Sequence, residues 1–439
     1  MYRKAIEELK LWKEKSERKP IIIRGARQTG KTWLMKEFGS TCYEKYVYIN
    51  FDNNPRMEAL FQSDFDTERI LLGLHAETGQ SIIPGETLIL FDEIQEVPHA
   101  LASLKYFHEN APQHHIVAAG SLLGVALHPG TSFPVGKVEF LDLFPLSFPE
   151  FLLASGNEPL HDMLEKLDFS MVRVFSTKFT ELLRQYFFVG GLPEVVKIFL
   201  HTHDLKEVQS SQKQLLSAYE QDFSKHAPSR IVPRIRSVWK SLPTQLAREN
   251  RKFVFGLVKT GARAREYELA IQWLLDCGLV NRVDRVTKPG IPISAYRDSS
   301  AFKLYGLDVG LLCAMSGLDP ISILQGNQLF EEFKGALTEQ FVLQQIVANT
   351  GINPFYWSAE QSRGEVDFVM QAGGMVLPLE VKAAENLQAK SLKSYYQRYQ
   401  PVKAFRTSLS GYREEEWLVN IPLYAIHSFA EIAKQFLYR

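Results

Sequence analysis

The stretch Gly25-Ala-Arg-Gln-Thr-Gly-Lys-Thr32 sets two glycines, a lysine and a threonine at fixed spacing, and its flanks decide what it can become. Ile21-Ile-Ile23 before it reads as a short buried strand. Trp33-Leu-Met-Lys-Glu-Phe38 after it reads as the start of a helix. A strand, a glycine-bounded turn and a helix N-terminus make an anion cradle: backbone N–H groups point inward and the helix dipole adds positive charge. Gly25, Gln28, Thr29 and Gly30 would line the cradle. Lys31 would reach the β- and γ-phosphates of a nucleoside triphosphate, and the Thr32 hydroxyl would coordinate Mg²⁺.

A second motif completes that site. Thr87-Leu-Ile-Leu-Phe-Asp92-Glu93-Ile is an apolar run ending in two carboxylates, the pattern of a buried parallel strand. Asp92 would hold Mg²⁺ through water or Thr32, and Glu93 would orient and polarise the attacking water. The plainer role for both acids is to cap the following helix. Tyr46-Val-Tyr-Ile-Asn-Phe51 and His115-Ile-Val-Ala-Ala-Gly-Ser121 read as further strands, with a helical segment through 105–110 before the latter. Alternating strands and helices predict a doubly wound parallel sheet with its ligand at the strands' C-terminal ends.

Bulk properties bound the rest. A chain of 439 residues is long for one domain, so about two to four are expected. Fifty basic residues balance fifty acidic ones. That argues against a chain-wide electrostatic hold on nucleic acid and leaves only local patches. Cys42, Cys277 and Cys313 are far apart and in no metal spacing, which suits free thiols in a reducing compartment. No uncharged apolar run reaches the ~18 residues that span a bilayer. Residues 1–10 have an amphipathic helical pattern rather than that of a signal peptide. A cytoplasmic protein without a membrane partner is expected.

These motifs, with Ala119-Gly-Ser-Leu-Leu123 and the stretches Pro134–Val138 and Leu143–Leu152, resemble a known family. It is that of prokaryotic AAA-type ATPases carrying a C-terminal domain of unknown function with a restriction-endonuclease-like fold. The resemblance extends over nearly the whole chain. It implies ATP as the nucleotide, and it puts Ser121 where the first sensor residue of such ATPases lies. A plain turn or N-cap serine is the equal alternative. Arg24 and Arg27 would touch phosphate or brace the loop, Arg24 more as a brace. Lys137 stands where relatives carry arginine, and lysine is a poorer bidentate donor, so it is not nominated as a charge-stabilising finger. Arg184 reads as a solvated helix arginine before Gly190-Gly-Leu-Pro193.

The expected organisation is α/β and multidomain. Residues 1–150 form a P-loop AAA-type core and 151–228 a helical lid or connector. Residues 229–324 form a winged helix-turn-helix and 325–439 a restriction-endonuclease-like α/β domain. In the winged helix, Arg263, Arg265, Arg282, Arg285 and Lys288 are candidates for phosphate contact. Glu266 and Glu268 on the same helix oppose that, and domain packing is the favoured role. A strand is expected at Ser294-Ala-Tyr296, and Lys303-Leu-Tyr-Gly306 reads as packing without chemistry.

In the last domain Val376-Leu-Pro-Leu-Glu380-Val-Lys382 and Glu365-Val-Asp367 read as strands. Residues two apart share a face, so Asp367, Glu380 and Lys382 would converge on one metal-sized spot. This is the D…E-x-K pattern of restriction-endonuclease-like nucleases. Carboxylates suit Mg²⁺ or Mn²⁺, and Lys382 would position or deprotonate the water that hydrolyses a phosphodiester. The resemblance adds Glu339, from a neighbouring helix, as a third metal ligand. The alternative is a structural Glu–Lys pair on a solvated face. Lys390-Ser-Leu-Lys393 with Tyr395, Tyr396 and Tyr399 would face DNA or simply cover the sheet. The implied function is ATP hydrolysis that drives or gates a nuclease-like domain acting on nucleic acid. Its rival is an ATP-operated switch for protein partners. A homo-oligomer is left open.

Overall fold

The computed structural model describes residues 1–121, 134–319, 331–359, 364–383 and 389–436. The chain divides into two compact units. One comprises residues 2–144 with 276–278; the other comprises Met1, Pro145–Leu275 and Leu279–Arg439.

In the first unit, β1 (Ile21–Gly25), β2 (Lys45–Asn50), β3 (Thr87–Asp92), β4 (His115–Ser121) and β5 (Glu139–Asp142) form a sheet in the order β2-β3-β4-β1-β5. All its pairings are parallel. Alternation along each strand sorts side chains onto two faces. Ile22, Ile89, Phe91 and Ile116 join one core with Met57, Phe61, Ile70, Leu74 and Phe107, which come from the helices Pro55–Ser63, Thr67–Thr78 and Pro98–Asn110. Ile21, Ile23, Leu88, Leu90 and Val117 join the opposite core with Leu9 and Trp12 of the helix Ala5–Lys13 and with Leu34, Met35 and Phe38 of the helix Lys31–Cys42. Helices on both faces are the doubly wound arrangement. β3 is buried along its whole length, whereas β2, at the edge, is exposed at both ends. β4 lies between the strand that carries the glycine turn and the strand that ends in Asp92.

The second unit begins with helices. The first, Phe148–Ala154, opens on a capping box in which Ser147 and Glu150 each accept the other's backbone N–H. Then β6 (Val280–Val286) and β7 (Arg297–Gly306) make an antiparallel ribbon. After the helix Glu331–Thr350 come β8 (Phe355–Ser358), β9 (Glu365–Ala372), β10 (Met375–Val381), the helix Lys390–Tyr399, β11 (Ala404–Ser408), β12 (Arg413–Glu414) and β13 (Leu418–Pro422). All eight strands form one sheet, ordered β12-β13-β11-β10-β9-β8-β6-β7.

The topology differs from a free-standing winged helix in one respect. The three helices and ribbon of a winged helix occur in order, as Val232–Leu246, Phe255–Val258, Ala264–Asp276 and β6–β7. The ribbon, however, is not a free wing. The open side of β6 pairs in parallel with β8, Arg285 opposite Tyr356 and Val286 opposite Trp357. An unpaired strand edge leaves a row of N–H and C=O groups exposed, and β8 covers the Arg285–Val286 end of it. The sheet therefore crosses the expected division at 324/325, which itself lies outside the described residues. Residues 293–296 form a 3₁₀ turn after Pro292, and the strand starts at Arg297. The first unit ends at Phe144, short of the expected 150.

A buried polar junction explains Gly190-Gly-Leu-Pro193. Asp308 accepts from Gly191 N at 2.7 Å, Leu311 N at 3.1 Å and Gln344 Nε2 at 3.0 Å. Gly190 has φ 76°, and a Cβ there would come within 2.0 Å of Asp308 Oδ1, so only glycine fits. Tyr186 donates to the Leu146 carbonyl, and Leu146 N donates to Gly191 O at 2.6 Å. Among the described residues no helix is long and apolar enough to cross a membrane.

Candidate functional site

The glycine turn takes the shape a phosphate cradle needs. Gln28 and Gly30 have positive φ, 67° and 92°. Gly25 comes so close to the chain after β5 that a Cβ would lie 2.3 Å from Leu143 O. Thr29 is fully buried and donates to Ala26 O at 2.9 Å. The helix Lys31–Cys42 starts from Gly30 with no side-chain cap, so its first N–H groups stay available to an anion.

Lys31 is buried, and its ammonium donates to Gly25 O at 3.0 Å and Ala26 O at 2.9 Å. Burial lowers its pKa to about 8, against the pull of Glu93 and Asp92. These are weak partners for a buried cation, and a triphosphate would be a better one. Thr32 Oγ1, in the first turn of the helix Lys31–Cys42, donates to Asp92 Oδ2 at 2.7 Å, at the end of β3. The hydroxyl and carboxylate together are a hard-oxygen donor set that fits Mg²⁺. Glu93 sits in the left-handed region, φ 51°, and its N–H donates to Asp92 Oδ1 at 3.0 Å. That conformation is uncommon for a residue with a side chain and is often found at working sites.

Three further side chains complete the site. Gln95 donates to Glu93 Oε2 at 2.5 Å and so orients it. Tyr48, on β2, donates to Asp92 Oδ2 at 2.8 Å. Arg3 is buried, reaching Thr29 O at 2.8 Å and Phe144 O at 2.5 Å, and so braces the turn from behind. Gln95 followed the acidic pair closely enough to be suspected. Tyr48 and Arg3 are brought in by the fold alone.

In the second unit the expected acids also converge, in a pocket of about 740 Å³ lined by Arg251, Glu339, Asp367, Glu380 and Lys382 among others. Their compensation differs from the expected metal shell. Glu339 pairs with Arg251 and accepts from Tyr305 Oη at 2.8 Å. Lys303, fully buried, lies 2.6 Å from Glu365 Oε1 and 3.7 Å from Glu339 Oε2. Burial raises the Glu339 carboxyl, but Arg251 and Lys303 outweigh it and pull it down to about 2. Burial and the neighbouring Glu339 push the Asp367 carboxyl well above its ordinary range. Asp367 Oδ2 also accepts from Val381 N at 2.8 Å. Lys382 Nζ lies 2.6 Å from Glu380 Oε1, while the buried Glu380 Oε2 has no hydrogen-bond partner among the described residues.

Among the described residues no group of three or more His, Cys, Asp or Glu has the geometry to hold a metal ion. Of the expected ligand set Glu339, Asp367 and Glu380, Glu339 faces the protein's own cations, Arg251 and Lys303. A buried carboxylate needs a partner, and Arg251 and Lys303 supply it. Asp367 and Glu380, with the unpartnered Oε2, are the pair whose chemistry still fits a cation. Lys303 and Tyr305, read from sequence as packing, belong to the acidic centre.

Residues 17–152 match the family described as an AAA domain. That stretch, which holds the glycine turn and Asp92, resembles a P-loop domain of the AAA type. Residues 180–322 and 334–426 match two domains of unknown function, DUF8612 and DUF4143. Among solved structures, the chain is similar to the Walker-type ATPase PABY2304 of Pyrococcus abyssi, with 14% identity and a TM-score of 0.47, covering 72% of this chain and 96% of that one. It is also similar to the Aeropyrum pernix ORC1 protein, solved in complex with DNA, with 13% identity and a TM-score of 0.26, covering 72% and 91%. No curated protein matches.

The remaining candidates sit as follows. In the AAA domain, Ser121 ends β4, and its side chain lies outside the described residues. Arg24 forks onto Asp142, and Lys137 pairs with Glu109 at 2.9 Å. In the second unit Arg184 is exposed on the helix Ser176–Val189. Arg282 and Arg285 are taken by Asp284 and Asp298, at 2.7 and 2.5 Å. Lys288 lies over Tyr296, and Arg263 and Arg265 are exposed. Leu392 and Tyr395 bury one face of the helix Lys390–Tyr399, and Tyr395 packs edge-on against Trp357.

Proposed function

We propose that this protein binds and hydrolyses Mg-ATP. The observation that carries this reading is the Thr32–Asp92 hydrogen bond beside a buried Lys31 whose ammonium donates to the loop carbonyls of Gly25 and Ala26. On binding, Lys31 exchanges those carbonyls for the β- and γ-phosphate oxygens. Glu93, steadied by Gln95, accepts a hydrogen bond from the attacking water and aims its oxygen at the γ-phosphorus. Thr32 and, through water, Asp92 would hold Mg²⁺, which supplies charge neutralisation on the phosphate oxygens. Phosphate release by the purified protein tests the reading. Turnover abolished by Lys31→Ala and Glu93→Gln supports it, and equal phosphate release by both variants overturns it.

The nucleotide state would control a nuclease-like C-terminal domain acting on nucleic acid. The arrangement of Asp367 on β9 with Glu380 and Lys382 on and after the neighbouring β10 supports this. A second reading has its own observation. Arg251 and Lys303 already neutralise Glu339 and Glu365, which favours a non-cutting domain in an ATP-operated switch for protein partners. Plasmid and single-stranded DNA separate the two readings. They are incubated with Mg²⁺ or Mn²⁺, with and without ATP, beside Asp367→Ala and Lys31→Ala. Cutting lost in Asp367→Ala establishes the nuclease, and its loss in Lys31→Ala shows ATP control. Intact DNA in every reaction, with ATP turnover present, selects the switch. Turnover that rises steeply with protein concentration would reveal a homo-oligomer with a residue supplied in trans.

A further inference from the structure

We propose that Tyr48 is a positioning residue for Asp92 and sets how tightly the nucleotide site holds its divalent cation. This rests on the Mg-ATP reading above. Among the described residues three donors fix the Asp92 carboxylate: Glu93 N on Oδ1 at 3.0 Å, and Thr32 Oγ1 at 2.7 Å and Tyr48 Oη at 2.8 Å on Oδ2. The three are not equivalent. Thr32 is itself a metal ligand in that reading, so its hold on Asp92 depends on the cation. The Glu93 N–H belongs to the next peptide and turns with it. Tyr48 is the donor that comes from a separate strand and touches neither phosphate nor metal.

The phenol is well anchored. β2 pairs along its length with β3, with Tyr48 opposite Leu90. The Lys36 ammonium lies 3.8 Å from the Tyr48 ring centroid and comes from the helix that begins at the glycine turn. Without the hydroxyl, Oδ2 keeps only a partner that moves with the metal. The carboxylate then has to be ordered when the cation arrives. Partners that orient a ligating carboxylate are worth roughly 10–100-fold in metal affinity. The effect falls on the metal and spares the phosphates, because the Tyr48 hydroxyl acts on Asp92, whereas Lys31 donates to Gly25 O and Ala26 O.

The test is Tyr48→Phe in the full chain, read by equilibrium binding of a fluorescent ATP analogue, first in EDTA and then in a Mg²⁺ titration. Turnover against Mg²⁺ concentration is measured in parallel. The expected result is unchanged affinity in EDTA and a half-saturating Mg²⁺ concentration about tenfold higher in both assays. Asp92→Asn, as a control, should lose the Mg²⁺ response. An unchanged half-saturation in Tyr48→Phe overturns the proposal. So does a matching loss of affinity in EDTA, which would make Tyr48 a strut of the cradle. If the wild-type protein binds the analogue without any response to Mg²⁺, the Mg-ATP reading itself fails, and that outcome is distinct from the other two.

Discussion

At the nucleotide site Lys31 donates to two carbonyls of its own loop, and Asp92 is held by two hydroxyls and an N–H. In the second unit Lys303 faces Glu365 and Glu339, and Arg251 faces Glu339 again. Both regions bury a lysine among acids. In the first, burial wins and the ammonium is destabilised, with a pKa of about 8. In the second, the acids win: burial lowers the Lys303 pKa, yet Glu339 and Glu365 raise it well above its ordinary value. The first lysine is left wanting an anion, which suits a site meant to bind one. The second is already neutralised and holds structure together. A charged residue in a pocket is thus informative only with its partners.

The largest expected effect separates the two on function. Glu93→Gln should cut ATP turnover by roughly 10²–10⁴-fold, the usual loss on removing a general base, while nucleotide binding persists. Steady-state phosphate release beside analogue binding measures both. Lys303→Met should leave nucleotide binding intact yet destabilise the fold by about 3–5 kcal/mol, because buried acids lose their cation. Lys31→Met should do the reverse, abolishing binding and leaving the unfolding midpoint unchanged or higher. Denaturant unfolding of the two variants decides this, and an equal loss of stability in both would break the comparison.

The next effect is one of pH. Lys31 has a depressed pKa when unliganded, and bound phosphate would raise it. Protonation and binding therefore favour each other. ATP affinity should be flat below pH 8 and fall as pH rises through 8, by up to about tenfold per unit. Lys31→Arg should remove that fall. Analogue titrations from pH 6.5 to 9.5 check it. The smallest effect sharpens the acidic centre. Tyr305→Phe deletes one donor to Glu339 and should cost about 1.5–3 kcal/mol of unfolding free energy, with ATP turnover unchanged.

How much of this was readable beforehand depended on distance along the chain. The phosphate turn and the Thr87–Asp92 strand are contiguous, and their chemistry follows from local spacing. Tyr48 and Arg3 reach the site only because parallel strands bring β2 beside β3 and a helix packs behind the turn. Nothing in their neighbours' identities marks them. Lys303 was the readable miss. It stands in Ala301-Phe-Lys-Leu-Tyr-Gly306, where every residue is buried. A lysine inside an apolar strand has to find an anion, and that alone could have sent the search to Glu339 and Glu365. The β6–β8 pairing had no comparable signal, because the backbone edges that pair look alike in any sequence.

That pairing has a consequence for how the chain is made. Synthesis from the N-terminus delivers β6 and β7 well before β8, so the ribbon leaves the ribosome with one edge of β6 open until residues 355–358 follow. During that interval β6 can recruit any passing strand, including the same edge on a neighbouring nascent chain. A chain halted between the two regions would expose the same edge permanently. For a recombinant fragment ending near residue 330, the predictable outcome is insolubility.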